Sequence, residues 1–321
     1  MDQGYELSDV LIVPKHSNVI SRGDADLSVD LGKLKLQIPI VASPMEGIVG
    51  VKIIKELGEM GGLGILHRFY NNEDKRVKDV NILRKSNVNF GVAVGLGDPF
   101  YMCALNNGAN VICIDVANGY LQSVLDFTNT IAKYIKVYGY DCLVMSGTVA
   151  TYEGARDLSN SGTDIVRVGL GSGNLCVTRR NTGIGVPQYT ALKDCTPKGY
   201  YQNWFVIADG GIKDSGTAVK ALGAGGDLLM LGSLFGNCKE SEHNGRIRGM
   251  ASREFQEQFY GEVKKSVEGI QKKAKKKYHL KDFITEFTWN MRSSFTYLNS
   301  RTIGELQSNT DFVLAGSGSI Q

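Results

Sequence analysis

Short runs of apolar, often β-branched residues recur along the chain at 39–43, 62–66, 90–94, 111–116, 143–146, 165–168, 205–208 and 228–231. Nearly continuous apolar runs of this length are the pattern of parallel strands buried on both faces. Between them, segments with helical spacing fall at 51–60, 100–107, 122–138, 151–159, 188–194 and 215–222. Eight strands alternating with helices predict an α/β fold, a (β/α)8 TIM barrel in a single domain spanning 1–321. A doubly wound sheet is the second reading. It lacks the Gly-x-Gly-x-x-Gly fingerprint expected after an early strand.

Every apolar run is followed at once by glycine or polar residues: Ser43-Pro44-Met45-Glu46-Gly47, His67-Arg68, Gly95-Leu96-Gly97, Asp115-Val116-Ala117-Asn118-Gly119, Ser146-Gly147-Thr148, the stretch 169–188, Asp209-Gly210-Gly211 and Gly232-Ser233. In a barrel these ends converge on the face where chemistry occurs, and the loops after the seventh and eighth strands commonly bind phosphate. Three segments lie outside the repeat. Residues 1–38 are expected to cap the far end of the barrel. Residues 236–281 form a long polar flap excursion after the eighth strand, and loops of that length are usually functional. After a final helix at 282–298, residues 315–321 read as a flexible tail.

The stretch 169–188 carries the densest chemistry. Gly169, Gly171 and Gly173 alternate, so backbone groups can face a bound ion or phosphate directly. Cys176 follows in glycine-rich, polar surroundings, where a thiol can serve as a nucleophile. Asp209, before two glycines, suits ribose hydroxyls, which a carboxylate can accept from. Asp115 can serve as a loop hydrogen-bond acceptor or face a cofactor ring. His67 stands beside Arg68 without an evident carboxylate partner and reads as structural or as a cofactor-edge residue.

Composition narrows the classes. The hydrophobic fraction is 42%, the charged fraction 21% and the formal net charge +3. These are ordinary globular values that give no argument for nucleic acid. The lysine-rich segment 272–277 lacks the interleaved aromatics of a nucleic-acid groove. There is no run of about 18 apolar residues, so no membrane span is expected. The first residues lack a basic stretch followed by an apolar core, so no signal peptide is expected. Six cysteines scattered without CxxC spacing suggest reduced thiols and a cytoplasmic setting, and the histidines lack the spacing of a zinc site.

The motif Gly-x-Gly-x-Gly-x-x-Cys-x-Thr-Arg-x-x-Thr-Gly-x-Gly-x-Pro-Gln at 169–188 resembles the IMP dehydrogenase / GMP reductase superfamily. So do Asp-Gly-Gly at 209–211, Met-Leu-Gly-Ser at 230–233 and Arg-Gly-Met-Ala-Ser at 248–252. The motifs stand in the family's order from about Tyr5 to Val313. The regulatory insertion that dehydrogenases usually carry after the second strand is missing, as is their Arg-Tyr pair in the flap. The flap segments 249–252 and 266–269, with Arg292-Ser-Ser-Phe-Thr-Tyr297, resemble the reductase branch instead.

That resemblance implies NADPH-dependent conversion of the nucleotide GMP to IMP with release of ammonia, through a covalent thioimidate on Cys176. It implies Thr178 and Glu268 as a proton relay. Met45, Asn174, Asp209, Gly210, Gly211, Gly232, Ser233, Gly249, Met250, Ala251 and Gly269 would bind substrate. Arg68, Asp115, Val116, Ala117 and Tyr297 would contact NADPH. Gly171, Gly173, Cys176 and Arg179 would hold a monovalent cation, K+ by preference, and the family is usually a homotetramer. Three positions depart from the family pattern: Asn174 replaces a phosphate-bonding serine, Asn237-Cys238 a Gly-His pair, and Leu298-Asn299-Ser300 a small-residue turn. Two other readings remain, a dehydrogenase acting on IMP with NAD and a catalytically silent nucleotide-binding barrel.

Overall fold

The computed structural model describes residues 3–196, 203–263 and 266–316. Eight parallel strands close into a barrel: β1 (Ile40–Ala42), β2 (Leu63–Leu66), β3 (Phe90–Val94), β4 (Val111–Ile114), β5 (Leu143–Val149), β6 (Ile165–Val168), β7 (Phe205–Asp209) and β8 (Leu228–Leu231). Each pairs with its neighbours in sequence, and β8 closes on β1 through Leu229↔Ile40 and Leu231↔Ala42. This is the expected (β/α)8 barrel.

Strand alternation sorts side chains into two cores. Val41, Leu63, Ile65, Ala93, Cys113, Met145, Ile165, Ile207 and Met230 fill the interior. Their neighbours face outward onto the helices. The hairpin of Val29–Asp30 with Lys35–Leu36 puts Leu31, Leu34 and Leu36 against that interior. Residues 5–7 run instead to the opposite end, where Tyr5 N donates to Thr190 Oγ1 at 2.8 Å.

At least one helix follows each strand. The helix Glu73–Lys85 has no counterpart in the hydrophobic pattern, because its buried side is thin. Only Val80, Leu83 and the guanidinium of Arg76, which lies over the Phe100 ring, are covered. Asn72 caps it by accepting from Lys75 N.

The excursion 236–281 carries regular structure. Arg246–Arg248 pairs antiparallel with Gln271–Lys273, and Arg253–Tyr260 is helical, capped by Ser252 Oγ accepting from Phe255 N. The rings of Phe255 and Phe259 lie 4.7 and 5.6 Å from that of Phe69, just after β2. This apolar anchor was hidden within a polar stretch of sequence. Of the expected tail, 317–321 lie outside the described residues.

Candidate active site

All eight strand ends point to one face, and the loop after β6 is held there from three sides. On the first side, Ser172 Oγ donates to Asp209 O at 2.8 Å, and Gly211 N donates to Ser172 O at 3.0 Å. Gly210 has φ +100°, and a Cβ there would lie 2.4 Å from Ser172 Oγ, so glycine is required for this approach.

On the second side lies the flap. Ile270 N donates to Leu175 O and Val177 N to Glu268 O, at 2.9 and 2.8 Å. Glu268 N and Gly269 N both donate to Ala251 O. A Cβ on Gly249 would meet Leu175 O at 2.9 Å, and one on Gly269 would meet Ser252 N at 2.9 Å.

The third side is the N-terminal segment. Glu6 pairs with Arg179, whose Nε and Nη2 donate to Leu170 O and Val186 O at 2.7 and 2.5 Å. A single guanidinium therefore ties both ends of the loop together. Glu6 also accepts from Gln188 N.

This lacing produces a short chain of polar contacts. Cys176 Sγ lies 3.0 Å from Thr178 Oγ1, and Thr178 Oγ1 donates to Glu268 Oε2 at 2.6 Å. Thr178 opens the short helix Thr178–Thr182, which turns its hydroxyl back toward the thiol. The other cysteines are set apart. Cys113, Cys142, Cys195 and Cys238 are buried, and burial pushes each thiol up to about 12. They are inert at neutral pH. No disulfide links any of the six.

A second group sits on top of the barrel interior. Arg167 follows Ile165 on the inward side of β6, as Asp115 follows Cys113 and Asp209 follows Ile207. Arg167 Nε and Nη2 donate to Asp209 Oδ2 at 3.1 and 2.8 Å, and Nη1 to Asp115 Oδ1 at 3.2 Å. Arg68 lies 3.4 Å from the other oxygen of Asp115 and donates to its main-chain oxygen. The carboxylates expected to serve nucleotide and cofactor thus share one buried cation. Sequence reasoning gave Arg167 no role. The available signal was a charge inside an otherwise apolar strand.

The remaining residues divide. Val116 packs on the core, and Ala117 O accepts from Thr148 Oγ1. Met45 Sδ approaches Gly232, and Ser233 O accepts from Gly236 N. Met250 lies in the flap turn between Gly249 and Ala251. Asn174 is bound by Lys272. His67 is buried and stacked on Tyr70 at 4.7 Å, and its Nδ1 accepts from Phe69 N. Burial, reinforced by Arg76 and Lys75, lowers its pKa to about 4, so the ring is neutral and structural. Tyr297 is not brought to the others. It ends the helix Leu280–Tyr297, about 25 Å of helix away from the catalytic face.

Among the described residues no helix is long and apolar enough to cross a membrane, and no cluster of three or more His, Cys, Asp or Glu could hold a metal ion. Residues 4–321 match the model of the IMP dehydrogenase / GMP reductase domain. The chain is 30% identical over 322 aligned positions to the GMP reductases of Streptococcus pyogenes serotype M49 (strain NZ131) and serotype M3 (strain ATCC BAA-595 / MGAS315). Each alignment covers 97% of this chain and 94% of the relative. The chain belongs to the IMP dehydrogenase / GMP reductase family, whose members are oxidoreductases.

Proposed function

We propose that the protein reduces GMP to IMP, releasing ammonia, with NADPH as the reductant. The contact chain Cys176–Thr178–Glu268 carries this reading. A 2-amino group leaves a purine only if it is protonated, and this chain supplies a proton beside the nucleophile.

The steps balance around that proton. The Cys176 thiol passes its proton through the Thr178 hydroxyl to Glu268, and the thiolate bonds to C2 of the guanine. The same proton returns through Thr178 to the amino group, easing cleavage of the C2–N bond and departure as ammonia. A thioimidate between C2 and Cys176 remains. NADPH, when bound, supplies the hydride that C2 receives, and the C2–S bond then breaks to give IMP and the thiolate, which takes a proton from solvent through the same relay. General acid–base help of this kind is worth roughly 10²–10⁴-fold.

Asp209 would bind the ribose. Gly210, Gly232 and Ser233 would cradle the phosphate with main-chain N–H groups, and Gly211, whose N–H is taken by Ser172 O, would border it. Met45, Gly249, Met250, Ala251 and Gly269 would enclose the base. NADPH would lie beside Arg68, which is 26% exposed and paired with Asp115. Its guanidinium can meet a phosphate without leaving that carboxylate, and Val116 and Ala117 border the same place. Within one chain Tyr297 lies too far away, so its cofactor contact belongs to a neighbouring copy in a homotetramer.

The main-chain oxygens of Gly171, Gly173 and Cys176 are neutral oxygen donors. That donor set suits a hard monovalent cation such as K+, which would order the nucleophile's loop. Arg179 would act there through its backbone. Its guanidinium is already committed to Glu6 and two carbonyls. Reduced thiols fit a cytoplasmic enzyme.

The test is nicotinamide absorbance with GMP or IMP against NADPH, NADH, NADP and NAD. Oxidation of NADPH dependent on GMP, with matching ammonia, is expected. NADH formation from IMP and NAD, with GMP inert, would reverse the assignment. Cys176→Ala must abolish turnover.

A further inference from the structure

Five lysines crowd positions 272–277, and the first is distinguished from the rest by its partner. Lys272 Nζ donates to both Asn174 O and Asn174 Oδ1, at 3.1 and 3.0 Å. Lys272 lies on the flap strand Gln271–Lys273, which Ile270 ties to the loop after β6. Asn174 stands where three pieces of chain meet. Its preceding residue approaches Gly210: Gly173 N lies 2.8 Å from the place of a Cβ there. Its following residue, Leu175, accepts from Ile270 N of the flap.

The chemistry of the pair sets a direction. An ammonium has only donors, while an amide has an oxygen on one side and an NH2 on the other. With Oδ1 and the main-chain oxygen both turned to Lys272, the NH2 of Asn174 is turned away from it. That group has no partner among the described residues. A serine hydroxyl at this position could rotate toward an anion unaided, whereas an amide has to be pointed.

We infer that Asn174 and Lys272 act as one unit recognising the 5′-phosphate of the nucleotide. Asn174 donates its NH2 to a phosphate oxygen, and Lys272 is the positioning residue that holds the amide in that orientation. The inference rests on the nucleotide reading above and adds how this chain orients the amide that stands where the resemblance implies a serine. Lys272 is exposed, so its bare charge is screened and most of its effect passes through Asn174.

The experiment is calorimetric binding of GMP and guanosine to the full chain. Lys272→Ala should weaken GMP roughly tenfold, the worth of one charge-assisted contact. Guanosine binding and the thermal midpoint should not change. Lys275→Ala, which removes the same charge from the same segment, should leave GMP binding within about twofold. In an Asn174→Ser background Lys272→Ala should cost less than about threefold, because a hydroxyl needs no pointing. Wild-type affinity in Lys272→Ala would overturn the proposal. So would equal losses for GMP and guanosine, equal losses at Lys272 and Lys275, or an undiminished loss in the serine background. Failure of the wild-type chain to bind GMP or IMP would instead sink the nucleotide reading, and this proposal with it.

Discussion

Thr178 Oγ1 donates to Glu268 Oε2 at 2.6 Å across 90 residues of sequence, while the same oxygen lies 3.0 Å from Cys176 Sγ. The hydroxyl therefore stands between a thiol and a carboxylate, one from the loop after β6 and one from the flap. Glu268→Gln keeps the shape and removes the proton acceptor. It should lower GMP-dependent NADPH oxidation by roughly 10²–10⁴-fold. GMP binding measured by calorimetry should stay within a few-fold. Retention of more than a tenth of wild-type turnover would remove Glu268 from the relay.

Arg167 joins Asp115 to Asp209 beneath the same face. Arg167→Met removes the cation that the two carboxylates share and leaves Arg68 to face Asp115 alone, a change that costs about 3–5 kcal/mol when such a pair is buried. Arg167→Lys keeps the charge but cannot reach both partners with a planar fork. The lysine variant should fold and show raised KM for nucleotide and cofactor together. A rise in only one of them would show that the two carboxylates work independently.

Gly269 sits where the flap crosses itself. A Cβ there would lie 2.9 Å from Ser252 N and 3.2 Å from Gly249 Cα. Gly269→Ala should displace the neighbouring Glu268 and reduce kcat by roughly 10- to 100-fold, as small misplacements of catalytic groups do. Gly304→Ala is the control, since nothing lies within 4 Å of its new methyl. Equal activity of the two variants would mean that the flap yields easily at Gly269.

His67 supplies a pH dependence. Its folded pKa is about 4, below the usual 6.5, with burial as the first cause. Between these values the unfolded chain binds a proton that the folded chain does not. Stability is therefore lost as pH falls through that window. The loss is about 2 kcal/mol by pH 5 and about 3 kcal/mol in full. Urea midpoints at pH 7 and pH 5 should show it for wild type, and His67→Gln should flatten the difference. An unchanged slope in the variant would place the acid sensitivity elsewhere.

Local pattern sufficed for the frame of this protein. A parallel strand covered on both faces must be apolar throughout, so the eight strands stood out in the sequence, and glycine or polar residues marked their ends. The same rule hid other parts. The helix Glu73–Lys85 buries so little that its charges mask its period, and the flap helix is secured by Phe255 and Phe259 packing on Phe69, nearly 190 residues earlier in the chain. The loop itself singled out Cys176, and family resemblance alone suggested Thr178 and Glu268 as its partners.

Only tertiary structure decided which groups touch. Arg167 pairs with Asp115 and Asp209 because strand alternation turns all three inward at the same height of a closed barrel. Lys272 meets Asn174 because the flap folds back across the loop, and Tyr297 is carried away along its helix. Sequence fixes which side chain each position offers and which face of its own element that side chain occupies. Distances between charges on different elements depend on barrel closure and flap folding, which are set by burial summed over the whole chain.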